Sequence, residues 1–559
     1  MKRLIGLFLA ATMVFSLVTG CSVDSDEDTS TGTNLEVGTQ STESGETTTE
    51  APTEEVTEAP TEEPRNEIQY PLTDAGSLSW YVKDGINIHL DYDWDVSKSP
   101  LHNYLKVATG VDIEWQFPQN HNINIMDIPF IATGSDLDFE RLFADGLIRD
   151  LTPYLEEYAP DYWAWLNEDE ARMKKIALTT GEIVYFACGV EEEYTCTYGP
   201  IIRKDWLDEC GLEIPYTLDE WETVLKAFRD KYDIAPFNTT RSIWKKMLGL
   251  ASGTGAHGGL NLMLYQENGE IKCAQLQEEW KELIVTMNRW FEEGLIDPGI
   301  ETSSPKSHIV REASRGHIGL TVVDESGMAQ IMSAETNDEI SVNPHTPAEW
   351  IAIPYPVLNK GDQPVYTHYE GMDISAGTFI TTECPEEKLI TAIKMLNYGY
   401  TEEGKLTWNF GEQGVSWDYD EQGEVQLMEL VLNDESGKSS ALSKYSPMNY
   451  LVAPTIKMDR FTELKYDTSI LDALEVWGRN TANHQYYIDQ LRSAKEDANR
   501  CADLESTLDT FLFGFAMRCI QGEYDIVADW DFMVNELKTL GLEEYIQITQ
   551  KAYDRTYKD

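Results

Sequence analysis

The chain has 559 residues, with 98 Asp and Glu against 43 Lys and Arg, for a net charge of −55 at pH 7. A surface this acidic repels phosphate backbones and excludes nucleic acid as a partner. Hydrophobic residues make up 42% of the chain, enough for a globular body, and the length exceeds what one simple core holds, so two or more domains or lobes are expected.

Met1-Lys2-Arg3 is a short basic start, and the run from Leu4 to Val18 is apolar except at Gly6, Thr12 and Ser16. It is shorter than the about 20 residues that span a bilayer and has the flanks of a signal-peptide core. It ends in Leu17-Val18-Thr19-Gly20-Cys21. Small residues let a signal peptidase close on extended backbone, and a cysteine after the cut offers a thiol for lipidation. Residues 1–21 thus resemble the bacterial lipoprotein signal, with Cys21 as the lipidated first residue and the protein held at the outer face of the cell membrane. Residues 22–66 carry thirteen acids, one Arg, no aromatics and the near-repeat of Thr57–Glu63. Such a stretch buries too little apolar surface to offset backbone entropy and is expected to be a disordered acidic Thr/Glu/Pro stalk.

The body, residues 67–559, opens on a strand-like Leu78-Ser79-Trp80-Tyr81-Val82. A helix over Pro100–Thr109 stopped by Gly110 and a second strand over Val111–Trp115 follow. Val184-Tyr185-Phe186 is another apolar run. Thr217-Leu218-Asp219-Glu220 is a capping box, with Trp221, Val224, Leu225 and Phe228 marking one helical face behind it. Gln277–Glu293 is a second amphipathic helix, ended by Gly294 and the Asp297-Pro298-Gly299 turn. Thr378-Phe379-Ile380 is strand-like, and Pro385 opens a helix carrying Leu389, Ile390, Ile393 and Leu396. The last hundred residues are mostly helical, with Asp529 expected as a cap before Phe532, Met533 and Leu537. Strands alternating with helices make an α/β body. No later stretch is long and apolar enough to span a membrane. After Cys21 seven cysteines remain, an odd number with no CxxC, so neither a complete disulfide framework nor a zinc ribbon is indicated. Buried free thiols are the default, with Cys188 and Cys196 a possible pair. Nine histidines without HxH or HExxH spacing argue against a metalloprotease.

Five segments, in order, resemble one family. They are Gly146–Pro160 (GLIRDLTPYLEEYAP), Ile202–Leu212 with Pro215–Trp221 (IRKDWLDECGL, PYTLDEW), and Trp290–Pro298 (WFEEGLIDP). Thr401–Gly404 with Trp408–Gly414 (WNFGEQG) and Trp530–Leu537 with Gly541-Leu542 and Gln550–Asp554 complete the set. The family is the lipid-anchored extracellular solute-binding proteins (family 1) of carbohydrate ABC importers, in the long branch common in Firmicutes. The resemblance spans about residues 70 to 559, and its RKDWLDECGL-type segment is the most specific. Two features depart from the family. Thr133–Asp138 lacks the proline of the usual Gly-Asp-x-Pro-Asp turn, and Arg229–Pro236 runs straight on where some relatives carry a calcium loop. The resemblance implies a type II periplasmic-binding-protein-like fold of two α/β lobes, discontinuous in sequence and joined by a hinge, with a helix-rich C-terminal part. It implies capture of an oligosaccharide or glycan fragment in the interlobe cleft, delivery to ABC permease transmembrane subunits, no chemistry on the ligand, no cofactor, and a monomer.

Sugars offer flat C–H faces and many hydroxyls, so a site needs aromatic platforms and Asp, Glu, Asn or Arg. Candidates in loop-like contexts are Trp80, Asp136, Glu191, Tyr194, Tyr198, Trp244, Tyr369, Glu370, Trp408 and Trp417. Trp221, Trp280 and Trp290 follow apolar helical periodicity and are packing residues. Arg203, Asp205 and Trp206 carry the family motif but also suit a strand-to-helix junction near the hinge. Asp418-x-Asp420-x-Gln422-Gly423 with Glu429 follows the EF-hand register apart from Gln422; the plain alternative is a polar hairpin turn. Two other functions compete. A surface glycoside hydrolase needs two carboxylates across a cleft, which 98 acids neither point to nor exclude. A glycan-binding adhesin without transport would share every feature above.

Overall fold

The computed structural model describes residues 67–82, 99–116, 130–135, 137–191, 196–247, 250–299, 305–333, 348–366, 372, 374–446, 448, 453–478, 485–488 and 490–558. The Cys21 signal, the stalk and the candidates Asp136, Tyr194, Tyr369 and Glu370 lie outside the described residues.

Two large apolar clusters, each wrapped round its own sheet, make two lobes. Among the described residues eight strands form the two main sheets: β1 (Ser77–Val82), β2 (Asp112–Gln116), β3 (Ile131–Gly134), β4 (Tyr185–Ala187), β5 (Tyr198–Arg203), β6 (Leu320–Asp324), β7 (Trp350–Ala352) and β8 (Gly377–Ile380). The first lobe holds the five-stranded sheet β2-β1-β3-β8-β4. β1 runs parallel to β2 and β3, and β8 is inserted antiparallel between β3 and β4. The β1–β2 crossover is the helix Pro100–Thr109, because parallel neighbours cannot be joined by a tight turn. Gly110 ends it as read, with φ 78° at the C-cap, and at the other end Ser99 accepts from the His102 N–H at 3.2 Å. β1 is buried from Leu78 onward, as suits a central strand facing helices on both sides.

The second lobe holds the antiparallel sheet β7-β5-β6. The capping box at Thr217 and Glu220 forms at the start of the helix Leu218–Tyr232. Its face packs with that of Glu278–Glu292, which buries Trp221, Trp280 and Trp290. The motif at the end of β5 is the expected junction: Arg203 Nε and Nη2 donate to the two Asp205 oxygens at 2.7 and 2.5 Å, and the guanidinium lies 4.4 Å from the Trp206 ring. Both charged side chains are buried, so each is kept by the other. The 26-residue helix Lys495–Ile520 crosses this lobe and buries Leu504, Leu508, Leu512 and Phe515. Asp529 precedes the helix Trp530–Leu540 but caps nothing there; its carboxylate accepts from the Asp525 N–H instead, closing the preceding turn.

The chain changes lobe between Ala187 and Cys196, between Tyr366 and Met372, and between Ile456 and Tyr466. Two crossings run side by side, because Gly189–Val190 pairs in parallel with Ile456–Lys457. Among the described residues the seven body cysteines form no disulfide, so Cys188 and Cys196 are not linked to each other. Among the described residues no helix is long and apolar enough to cross a membrane.

Candidate functional site

A pocket of about 650 Å³ opens on the second lobe where the first crossing enters it. Tyr198, the first residue of β5, is paired with Asp324, the last of β6, so the end of the sheet supplies one aromatic and one carboxylate side by side. Lys306 donates to Asp324 Oδ2 at 2.6 Å and to Ser326 Oγ at 2.6 Å, and the Gly327 N–H donates to Asp324 Oδ1 at 2.7 Å. The opposite wall is built from the short helix Arg241–Lys246 and the long helix Lys495–Ile520. There Lys245 donates to Asp509 Oδ2 at 2.5 Å, while Asp509 Oδ1 accepts the Leu262 N–H at 3.1 Å. The Phe513 ring carries the Arg241 guanidinium 5.4 Å and the Lys245 ammonium 5.9 Å from its centroid. Arg241 makes no ion pair among the described residues.

Beside the pocket, Glu325 is pushed above the usual carboxylate range, first by burial. Burial also pulls Lys465 down to about 8. Tyr466, at the end of the third crossing, donates its hydroxyl to Glu325 at 2.9 Å. The pocket therefore offers two aromatic faces, two carboxylates, three cations and the hydroxyls of Thr240, Ser242 and Thr510. Planar charged groups beside aromatic faces suit a ligand with many hydroxyls and exposed C–H surface.

Of the candidates named from sequence, Tyr198 lines this pocket. Glu191 lies beside a crossing: it is exposed, its carboxylate accepts the Asp459 N–H at 2.7 Å, and its own N–H donates to Lys457 O at 3.0 Å, so it clasps two crossings together. The four tryptophans are core residues. Trp80 is fully buried, donates to Thr133 Oγ1 at 2.8 Å and stacks on Trp115, with the Trp408 ring centroid 5.9 Å away. Trp244 turns inward from the pocket's own helix to pack on Phe237. Trp417 fills a small cluster with Phe410 and Phe461 and donates to Gly411 O. Rings with so little exposure offer no face to a ligand; their loop-like neighbours concealed short strands and helix ends whose inner side they fill.

Lys306, Asp324, Asp509 and Phe513 were missed. Asp324 ends an apolar strand and could have been read as its mouth-facing polar residue. Phe513 lies off the buried stripe set by Leu508, Leu512 and Phe515, a signal hidden by its neighbours Phe511 and Phe515.

The Asp418–Glu429 segment is a hairpin of Trp417–Tyr419 and Val425–Leu427. Asp420 Oδ1 accepts the Gln422 and Glu424 N–H groups at 2.9 Å, Asp418 accepts from Gln413 and the Tyr419 N–H, and Glu429 accepts from Asn433. Asp418, Asp420, Gln422 and Glu429 do not converge, and among the described residues no three His, Cys, Asp or Glu side chains could hold an ion. This segment does not fit calcium.

No protein-family model matches the chain. The chain is similar to the fructooligosaccharide ABC transporter substrate-binding protein FusA of Streptococcus pneumoniae serotype 4, 22% identical over 508 residues, covering 82% of this chain and 88% of that one. Among solved structures it resembles an HMO-binding, ABC-transporter-associated solute-binding protein from Bifidobacterium longum infantis, with TM-score 0.66, 19% identity and coverage of 87% and 100% of the two chains. It also resembles the alginate-binding protein AlgQ2, with TM-score 0.65, 20% identity and coverage of 86% and 99%. The fold is thus the two-lobed α/β periplasmic-binding-protein fold.

Proposed function

We propose that this protein is the substrate-binding lipoprotein of an ABC importer, and that it captures an oligosaccharide or glycan fragment between its lobes. The observation that carries this reading is the pocket on the second lobe where the first crossing enters it, with Tyr198 and Phe513 bringing aromatic faces among Asp324, Asp509 and Arg241. The similarity to a fructooligosaccharide ABC transporter substrate-binding protein over 82% of this chain and 88% of that one supports it. Ligand hydroxyls exchange water for the carboxylates and cations, and the crossings let the first lobe swing over the bound chain. Binding energy then selects the closed state, the form that the permease subunits recognise. The protein acts as a monomer outside the cytoplasm. A lipid on Cys21 and a stalk over residues 22–66 hold it at high local concentration beside the permease.

A glycoside hydrolase is the weaker reading. A general acid in such an enzyme sits in an apolar, uncompensated setting, whereas Asp324 and Asp509 each face a lysine ammonium at 2.6 and 2.5 Å. Calorimetry of the full chain carrying Cys21→Ala against saccharides, peptides and amino acids tests the proposal. Saturable binding of a saccharide without release of cleaved product is expected. Binding of peptides or amino acids alone sinks it, and cleaved product favours the hydrolase.

A further inference from the structure

A second cavity of about 600 Å³ lies beside the first and is lined by both lobes. The two share the helix Lys495–Ile520. Ala498, Ala502 and Glu505 face the second cavity, and Asp509 and Phe513 face the first. These five positions recur at intervals of three or four residues, so they lie on one helical face. From Ala498 to Gly514 that face runs about 24 Å at 1.5 Å per residue, room for about four sugar units in a row. Asp509 stands at the divide, since its two oxygens hold Lys245 of the first cavity and Leu262 of the second.

The second cavity has its own chemical character. Asn261 Oδ1 is buried there with no hydrogen-bond partner among the described residues. Its backbone is fixed, with its N–H donating to Lys245 O and its carbonyl accepting from Gln275. A buried acceptor left unpaired is costly and calls for a donor from a ligand. Glu505 makes no hydrogen bond or ion pair among the described residues, and Asp138 and Glu140 reach the same space from the first lobe. Among the described lining residues the one arginine, Arg492, is held in place: it donates to Lys175 O at 3.0 Å, to the Tyr185 hydroxyl at 2.8 Å and to Ile374 O at 3.0 Å. Its positive charge remains, but three carboxylates, Asp138, Glu140 and Glu505, line the same space, so the lining is acidic on balance, which welcomes hydroxyls and repels carboxylates.

We propose that this cavity is a second subsite for the outer units of a neutral oligosaccharide of about four sugars, and that its acidic lining excludes uronic-acid chains. The inference rests on reading the first pocket as a glycan site. Because both lobes line the second cavity, a chain long enough to reach it bridges them, so long ligands favour closure and short ones do not.

The test is calorimetry of the full chain carrying Cys21→Ala against size ladders, disaccharide to hexasaccharide. Neutral fructo-, malto-, xylo- and galacto-oligosaccharides form one arm, and oligouronates from alginate and polygalacturonate the other. For at least one neutral ladder, affinity should rise by about tenfold or more from disaccharide to tetrasaccharide, the worth of one or two further hydrogen bonds. No uronate ladder should rise. Ala502→Trp, which fills the second cavity, should reduce the tetrasaccharide-to-disaccharide affinity ratio to near one, and a ratio is insensitive to a fraction of misfolded protein. Glu505→Lys, which need not fill space, should let uronates gain with length. A wild-type ratio near one, an unchanged ratio in Ala502→Trp, or uronates preferred by the wild type would each overturn the second subsite and leave the glycan reading standing. Failure of every saccharide in both arms would overturn the glycan reading itself.

Discussion

The Lys245 ammonium and the Asp509 carboxylate meet at 2.5 Å in the pocket wall, joining the short pocket helix to the long helix that lines both cavities. The pair is partly exposed, with side-chain accessibilities of 37% and 22%. An ion pair in such a place contributes about 0.5–1 kcal/mol to folding. Its larger effect is to fix two ligand-facing groups. Asp509→Asn keeps an acceptor for the Leu262 N–H but removes the charge that holds Lys245. Thermal melting should shift little, while saccharide affinity measured on the same sample should fall by about tenfold, the effect of losing one charged hydrogen bond.

The tryptophans separate packing from binding. Trp80 is fully buried in contact with Trp115 and Trp408 and donates to Thr133 Oγ1. Trp80→Ala should cost about 3–5 kcal/mol of stability through the cavity it leaves. Trp244→Phe keeps an aromatic ring against Phe237 and should lower the denaturation midpoint modestly while leaving saccharide affinity within about twofold, a small fraction of a tenfold step. A large affinity loss in Trp244→Phe with an unchanged midpoint would return Trp244 to the site.

Much of the fold was legible because its signals are local. The Thr217–Glu220 box, the Gly110 stop and the apolar runs of β1, β2 and β4 fold as their patterns require. The site was less legible because its groups meet only in three dimensions. Tyr198 and Asp324 are cross-strand partners 126 positions apart in the chain, and Lys245 meets Asp509 at a separation of 264. Aromatic content also pointed inward. A tryptophan flanked by polar residues can face either side of a strand, and nothing in Trp80 or Trp417 as sequence tells which side carries the core. Asp529 shows the same limit in miniature, since a residue suited to capping spent its oxygen on the turn before the helix.

Acid should weaken the second lobe through Glu222. Burial is the largest single influence and pushes its carboxyl up, but hydrogen bonds from Lys226, Trp290 and Arg289 outweigh it and bring the value to about 2 from 4.5. The donors lie at 2.7, 2.7 and 2.5 Å. A carboxyl depressed on folding contributes stability that is complete above about pH 4.5 and is lost as the pH falls through about 2. Glu222→Gln should therefore be less stable than wild type at pH 7, with the gap narrowing below pH 4.5. Urea midpoints measured from pH 7 to pH 2.5 check this, and a gap that widens in acid would contradict it.

Gly199, next to Tyr198, leaves no room for a side chain: a Cβ there would lie 2.2 Å from the Trp477 ring. That indole is fixed by its own hydrogen bond to Pro200 O at 3.1 Å. Gly199→Ala should cost about 1–3 kcal/mol by overpacking, and should lower saccharide affinity by moving Tyr198. Denaturation and calorimetry on the variant read the two effects separately.

The measurement that bears most directly on the central claim is titration of the full chain carrying Cys21→Ala with the tightest-binding saccharide of a neutral panel, repeated with Asp324→Asn and Arg241→Ala. Single-site binding by wild type is expected. Losses of about tenfold or more should follow in each variant, since each removes a charged partner for hydroxyls, with melting temperatures close to wild type. Undiminished affinity in both variants, or saturable binding of peptides with none of any saccharide, would contradict the account.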